Sequence, residues 1–251
     1  MFNEFKINRI AVPTDFSDTA NVAIDHAVDI AKRFDAELFL LHVLETGAYQ
    51  GIFAPSKKTE YDELENAQQK LQEEAYLLER KTGLNVSQEV VSGRIYEEIV
   101  NATTERKTDL IVMGTHGVSG WAEFFVGSNA FKVVTQSPCP VLSIQGNASK
   151  AECENIILPI DGTPETRQKV RFAAAMAKKF GSTIHIASLI SDDDSNVRFE
   201  FEKKVAQIVE YLDREEISHT ETVLSGSNLA TMTMNFAESK HGNLIVMMTE
   251  Q

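Results

Sequence analysis

The chain has 251 residues, enough for two small domains, because single domains commonly hold about 100–150 residues. Its hydrophobic fraction of 43% favours packed cores over disorder, and its formal net charge of −13 argues against a nucleic-acid partner. No apolar run approaches the roughly 20 residues of a membrane span, and the first residues do not resemble a signal peptide. We therefore expect a cytoplasmic protein that does not enter a membrane.

Hydrophobic patterning predicts five strands alternating with four helices in the first half of the chain. The predicted strands are Ile7–Pro13, Leu38–Leu44, Val86–Val91, Leu110–Met113 and Pro140–Ile144. The helices between them are predicted at Thr19–Phe34, Lys58–Lys81, Ile95–Glu105 and Ser128–Gln136. A continuous apolar run such as Leu38–Leu44 is typical of a parallel strand that is buried on both faces.

The second half of the chain repeats the first. Residues 10–19 read IAVPTDFSDT and residues 156–165 read IILPIDGTPE, which aligns Asp15 with Asp161. The same offset carries Phe34 onto Phe180 without a gap. One supersecondary pattern is thus used twice. We predict two tandem α/β domains, residues 1–147 and residues 152–251.

Alternating strands and helices indicate right-handed crossovers and a parallel sheet covered by helices on both faces. The expected topology is doubly wound and Rossmann-like, with strand order 3-2-1-4-5. Ligands of such sheets bind at the carboxyl ends of the strands, where the winding direction reverses. The segments that meet there are Pro13-Thr14-Asp15, after the first strand, and the residues from Gly114 onward, after the fourth.

The segment after the fourth strand is rich in glycine. It reads Gly114-Thr115-His116-Gly117, and after nine further residues Gly127-Ser128-Asn129. Glycines allow close approach of a ligand, and Ser128 stands where a capping hydroxyl would begin the next helix. The free amides and dipole of that helix would then face a phosphate chain. An ordinary loop with glycine turns and a capping serine fits the same spacing.

Two polar side chains in these segments have alternative roles. Asp15 can accept hydrogen bonds from a ribose hydroxyl or an adenine amine, or it can cap the following helix. His116 is a candidate phosphate contact or a solvated loop histidine.

The spacing G-x2-G-x9-G-[S/T] from Gly114 to Ser128 resembles the ATP-binding signature of the universal stress protein family. The segments IAVPTDFSDTA, LLHV and SPCPVLSI also resemble that family's first, second and last strands. The resemblance implies a fold of the adenine nucleotide alpha hydrolase type that holds ATP, with or without Mg²⁺. The nucleotide-binding residues that the resemblance implies are Pro13, Thr14, Asp15, Val43, Met113, Gly114, Gly117, Gly127, Ser128 and Asn129. His116 joins the candidate site on its position in the loop alone.

The second copy departs from this signature. Matching Met113 to Met247 places Met248 opposite Gly114, and Gln251 opposite Gly117. The second glycine arm, its helix and the fifth strand have no counterpart, so we expect one ATP per chain, held by the first domain. A fourth strand without a neighbour is a poor end for a domain, so truncation of a longer protein is the expected explanation.

Members of this family commonly pair through their last strands. Because the strand at 140–144 has no counterpart in the second copy, we expect it to pair with another chain in a homodimer. The identity of other protein partners is not predicted.

The function expected is a nucleotide-dependent stress-response regulator or adaptor. The alternatives are a scaffold that binds no nucleotide and a slow ATPase. Fast turnover is not expected, because the sequence has no P-loop lysine and no acidic pair with a recognisable magnesium motif. No metal site is predicted from the two cysteines, Cys139 and Cys153, because their spacing is not that of metal ligands.

Overall fold

The computed structural model describes residues 4–46, 57–115, 127–145, 153–161, 166–190 and 195–249. The chain divides into two compact units. One is built on Ile7–Ala151, and the other on Glu152–Glu250 together with the N-terminal segment that ends at Lys6. Within these described ranges, no helix is both long enough and apolar enough to cross a membrane.

The first unit contains a five-stranded parallel sheet with the order β3-β2-β1-β4-β5, which confirms the predicted topology. Its strands are β1 (Arg9–Pro13), β2 (Glu37–Glu45), β3 (Val86–Gly93), β4 (Leu110–Gly114) and β5 (Val141–Ile144). Its helices are α1 (Asp18–Phe34), α2 (Lys57–Thr82), α3 (Ile95–Glu105) and α4 (Ser128–Gln136).

Strand β2 shows why the apolar runs form the centre of the sheet. Its residues from Leu38 to Leu41 are fully buried. Phe39 and Leu41 belong to a cluster that includes Ile99 of α3 and Val133 of α4. Because side chains alternate along a strand, Leu38, Leu40 and His42 lie on the opposite face. Both faces of β2 are thus covered, as a continuous apolar run predicts.

The second unit contains a four-stranded parallel sheet with the order β8-β7-β6-β9. Its strands are β6 (Asn155–Ile160), β7 (Thr183–Ile190), β8 (His219–Ser225) and β9 (Leu244–Ile245). Its helices are α5 (Thr166–Phe180), α6 (Ser195–Arg214) and α7 (Leu229–Ser239). As predicted, the described part of this unit has no counterpart of β5.

The N-terminal segment before β1 packs within the second unit. The ring of Phe5 lies edge-on against Phe172 of α5, with 5.6 Å between the ring centroids. The Arg171 guanidinium donates a hydrogen bond of 3.4 Å to the carbonyl oxygen of Glu4. An aromatic pair of this kind contributes about 0.5–1.5 kcal/mol beyond the area that it buries.

His185 is a buried titratable group on β7. Its Nε2 lies 2.9 Å from Oδ1 of Asn155, and its Nδ1 lies 2.8 Å from the hydroxyl of Thr220. An amide oxygen can only accept, so Nε2 donates, and in the neutral ring Nδ1 accepts from Thr220. Burial lowers the pKa of His185, and the charge of Lys240 lowers it further.

This shift makes the stability of the second unit depend on pH. The unfolded chain binds a proton at His185 near its ordinary pKa of about 6.5, whereas the folded chain binds it only at lower pH. The free energy of unfolding should therefore fall as pH is lowered through about 6.5. Urea unfolding of native protein and His185→Gln between pH 7.5 and 5 should show a shallower pH dependence for the variant. Equal pH dependence in the two proteins would contradict this assignment.

Gly114 lies where the end of β4 meets the first turn of α1. A Cβ atom at this position would lie 2.7 Å from Cγ2 of Thr19 and 3.1 Å from the Thr19 carbonyl oxygen. The close approach of helix to strand, rather than an unusual backbone angle, is thus what requires glycine here. The same approach sets the position of α1 beside the carboxyl end of the sheet.

Gly114→Ala should therefore destabilise the first unit by about 1–3 kcal/mol, the usual cost of forcing a methyl group into a packed contact. Gly127→Ala is the matched control. Among the described residues, its Cβ would meet only the Thr115 carbonyl oxygen, at 3.4 Å, and its φ is −56°. That control should cost about 0.5–1 kcal/mol through weaker helix capping. Urea unfolding measures both, and a larger loss for Gly127→Ala would refute the explanation.

Candidate functional site

The turn after β1 lies beside β2 at the carboxyl end of the first sheet. Pro13, the last residue of β1, is in register with Leu41, and the amide of Thr14 donates to the Leu41 carbonyl oxygen at 2.9 Å. Thr14 is buried, and Asp15 is exposed. The predicted residues Pro13, Thr14 and Asp15 therefore bring one exposed carboxylate to the point where the winding reverses.

Side-chain hydrogen bonds hold the backbone of this turn. The Thr14 hydroxyl oxygen accepts from the amide of Phe16 at 3.0 Å, and Asp15 Oδ1 accepts from the amide of Ser17 at 3.0 Å. Ser17 caps α1 by accepting from the Ala20 amide at 3.2 Å. Asp15 thus stabilises the turn before the helix, and Ser17 is the helix cap.

Phe16 lies in the left-handed region, with φ of 63°. For a residue that is not glycine, this conformation costs about 1–3 kcal/mol and persists only when its surroundings hold it. The Phe16 ring packs on the His42 ring with 4.5 Å between centroids, and the Lys70 ammonium lies 4.1 Å from the Phe16 centroid. Contacts from β2 and α2 therefore hold the residue that follows Asp15.

His42 also contacts the residue that precedes Asp15. Its Nδ1 lies 2.7 Å from the carbonyl oxygen of Thr14. Because a carbonyl oxygen can only accept a hydrogen bond, Nδ1 carries the hydrogen and donates. One half-buried histidine thus contacts both neighbours of Asp15.

Val43 and Met113 lie on the face of the sheet opposite to the side chain of His42. Met113 is a buried member of the cluster that includes Phe39 and Leu41, and Val43 packs against that cluster. The structure thus brings these two predicted residues into one apolar wall at the ends of β2 and β4. Such a wall can contact the face of a planar ring.

The residues that follow β4 tie three elements together. The Thr115 amide donates to the Ile144 carbonyl oxygen of β5 at 3.0 Å. The carbonyl oxygen of Thr115 accepts from the amide of Gly127 at 3.2 Å. The start of α4 is therefore held directly beside the end of β4. His116 and Gly117 lie outside the described residues.

The cap of α4 differs from the expectation. Gly127 is the N-cap residue, without a side-chain hydrogen bond, and Ser128 is the first residue of the helix. The first helical bond runs from the Phe131 amide to the Gly127 carbonyl oxygen, at 2.9 Å. In the described part of the chain, the amides of Ser128, Asn129 and Ala130 therefore have no acceptor. An anion that accepted these hydrogen bonds would also be favoured by the helix dipole.

At the equivalent position of the second unit, the carboxyl ends of β6 and β9, the side chains differ from those of the first unit. Ile156 pairs with Leu244 as Ile10 pairs with Leu110, so Met248 stands at the position of Gly114. Asp161, the counterpart of Asp15, lies near Lys169 of α5. Burial lowers the pKa of Lys169, while the Asp161 carboxylate acts in the opposite direction by favouring the ammonium.

Lys169 occupies the helix position that Ala23 holds in α1, and both side chains are buried. The second unit thus places an internal cation near its own aspartate. Asp15 has no cationic partner among the residues that the structure describes. The ranges listed above for the described chain also contain no group of three or more His, Cys, Asp or Glu side chains that could hold a metal ion.

The residues predicted from the sequence do not include Phe16, His42, Lys70 or Lys169. A signal was present for two of them. His42 interrupts the apolar run of β2, and Lys169 interrupts an otherwise apolar helix stripe. The contact between Lys70 and Phe16 could not be predicted from the sequence. Lys70 lies on α2, and no local pattern shows how α2 packs against the turn that contains Phe16.

Comparison with known proteins places these observations in a family. The sequence model of the Universal stress protein family matches residues 6–145 and 152–251. A universal stress protein of Methanocaldococcus jannaschii is 35% identical over 139 residues, which cover 55% of this chain and 81% of that protein. The Bacillus subtilis protein YxiE is 34% identical over 154 residues, covering 55% of this chain and 99% of its own.

Solved structures agree at the level of the fold. A universal stress protein from Archaeoglobus fulgidus superposes with a TM-score of 0.77 at 20% identity, covering 96% of this chain and 86% of that one. A universal stress protein solved in complex with cAMP covers 55% of this chain and 96% of its own, at 25% identity and a TM-score of 0.39. With both halves of the sequence matched by one family model, this chain belongs to the universal stress protein family.

Proposed function

We propose that this chain is a cytoplasmic ATP-binding universal stress protein that acts as a nucleotide-dependent stress-response regulator or adaptor. The observation that carries the proposal is the start of α4, where the amides of Ser128, Asn129 and Ala130 have no acceptor among the described residues. These amides follow Gly127 of the ATP-type signature and lie beside the end of β4. A bound phosphate chain would satisfy them.

The residues of the first unit fit an adenine nucleotide. Asp15 offers an exposed carboxylate for ribose hydroxyls, and Val43 and Met113 offer an apolar wall for the base. Gly114 leaves the end of β4 without a side chain. Sugar, base and phosphate would thus each meet a group of suitable chemistry. Mg²⁺ would enter with the nucleotide and be held mainly by phosphate oxygens and water.

The second unit supports a stoichiometry of one nucleotide per chain. Met248 carries a side chain at the position equivalent to Gly114, and Lys169 lies near Asp161. We assign this unit to structure or to protein partners, rather than to a second nucleotide.

Two other functions make different predictions. A scaffold would bind its partners without nucleotide, and a slow ATPase would release phosphate from bound ATP. The binder is favoured over the scaffold by the intact signature from Gly114 to Ser128. It is favoured over the enzyme because amides and hydroxyls stabilise bound phosphate but supply no base or cation for its transfer.

Calorimetric titration with ATP tests the site through Gly127. Gly127→Asp adds an N-cap carboxylate at a position where a Cβ meets only ordinary contact distance. Such a cap would bond the amides of the first turn of α4 and repel phosphate, so ATP affinity should fall by about tenfold or more while helix stability is retained. Gly127→Ser is the uncharged control, with a smaller expected loss.

The outcomes separate the functions. One ATP per native chain, with the graded loss above, supports the proposed site. Equal binding by the native chain and Gly127→Asp would overturn the role of α4. Absence of binding by the native chain would favour the scaffold, and phosphate release in proportion to bound ATP would favour the slow ATPase.

We also propose a homodimer through β5. This strand pairs with β4 on one side only, and Val141 and Leu142 are half-buried, so an open edge is left in the described sheet. Light scattering should give a dimer mass for the native chain. Leu142→Lys should shift the measured mass towards that of the monomer, because two edge lysines would face each other across the interface. Leu77→Lys, at an exposed position of α2, is the control, and a monomeric native chain would contradict the proposal.

A further inference from the structure

His42 contacts the residues on both sides of Asp15 and is not among the residues of the family signature. Its Nδ1 donates to the Thr14 carbonyl oxygen at 2.7 Å, and its ring stacks on Phe16 at 4.5 Å. We infer that His42 is a positioning residue, which holds the turn that presents Asp15 to the nucleotide. This inference rests on the proposed function for the identity of the ligand, but not for the geometry of the turn.

The hydrogen bond from His42 fixes the peptide plane between Thr14 and Asp15. The carbonyl group of Thr14 and the amide of Asp15 belong to the same peptide unit, and the peptide bonds are trans. In a trans peptide the carbonyl and the N–H point in opposite directions. With the carbonyl turned to His42, the Asp15 amide therefore points away from β2. In the described part of the chain this amide has no acceptor.

The other backbone group of Thr14 is also held by β2. Its amide donates to the Leu41 carbonyl oxygen at 2.9 Å. Both backbone groups of Thr14 are thus bonded to consecutive residues of one strand, Leu41 and His42. The position of Asp15 is thereby tied to β2, although Asp15 itself lies beyond the last residue of β1.

The ring contact holds the following residue. Phe16 adopts a left-handed conformation that is unfavourable for a bulky side chain, and its ring contacts both the His42 ring and the ammonium of Lys70. If the turn relaxed, the Ser17 cap and the carboxylate of Asp15 would move with it. Among the described residues, His42 Nδ1 is the side-chain atom that donates to the Thr14 carbonyl oxygen.

Two substitutions separate the donor from the ring. His42→Phe keeps an aromatic ring against Phe16 but has no donor for the Thr14 carbonyl oxygen. His42→Asn keeps an N–H donor at the same distance along the side chain but loses the ring. If the hydrogen bond positions Asp15, His42→Phe should weaken ATP binding by about three- to tenfold, and His42→Asn should stay within about twofold of the native chain.

A second readout does not need a ligand. NMR exchange rates of the Phe16 and Ser17 amides report whether the turn is closed, because both are bonded to side chains of the turn. His42→Phe should accelerate their exchange while leaving the Ala36 amide, bonded to the Ala31 carbonyl oxygen, at its native rate. General loss of stability would accelerate all three. In His42→Phe, the affinity for adenosine should fall by the same factor as the affinity for ATP, because Asp15 is proposed to contact the ribose, which both ligands contain.

Each outcome decides one question. Unchanged exchange at Phe16 and Ser17 in His42→Phe, or equal loss of ATP affinity in both variants, would overturn the positioning role. Faster exchange confined to the turn, together with the difference in affinity, supports it. If the native chain binds no ATP, the proposed function fails, and the exchange rates alone then support or overturn the role of His42 in the turn.

Discussion

The parallel pairing of β1 with β4 is the constraint on which the rest of the first unit depends. These strands are separated along the chain by three crossover helices, α1, α2 and α3, yet they lie side by side at the centre of the sheet. Their carboxyl ends leave the sheet towards different elements, α1 and the segment that leads to α4. At the end of β4, Gly114 lets α1 approach closely, since a Cβ atom there would lie 2.7 Å from Cγ2 of Thr19. The close approach of Thr19 to Gly114 therefore belongs both to the packing of α1 and to the candidate site.

The two units show how one topology is adapted in two ways. Both place an aspartate after their first strand, Asp15 and Asp161, and both bury the helix that follows. They differ in single side chains at equivalent positions. Met248 stands at the position equivalent to Gly114, and Lys169 stands at the position equivalent to Ala23. These two differences change the side chains at the switch point, while the order of the four strands common to both units is retained.

Much of the fold and part of the candidate site could be predicted from local patterns in the sequence. The apolar run of β2 and the spacing from Gly114 to Ser128 are properties of short segments, so strand order, family and tandem organisation followed from the sequence. The conformation of Phe16 and the bond from His42 to Thr14 could not, because they depend on contacts between segments that are far apart in sequence. The cap of α4 was misplaced by one residue, since Gly127 and Ser128 both suit an N-cap.

The buried lysine of the second unit has a consequence for how such a chain would respond to its ligand. Lys169 supplies from within the fold a positive charge near Asp161, whereas Asp15 in the first unit lacks a cationic partner in the described part of the chain. A chain with one nucleotide site would, under the proposed function, show a simple hyperbolic dependence on nucleotide concentration within each chain. Any steeper response would have to arise between chains, through the edge of β5. Under the proposed function, the first unit would then bind the nucleotide, and the second unit would not respond to it directly.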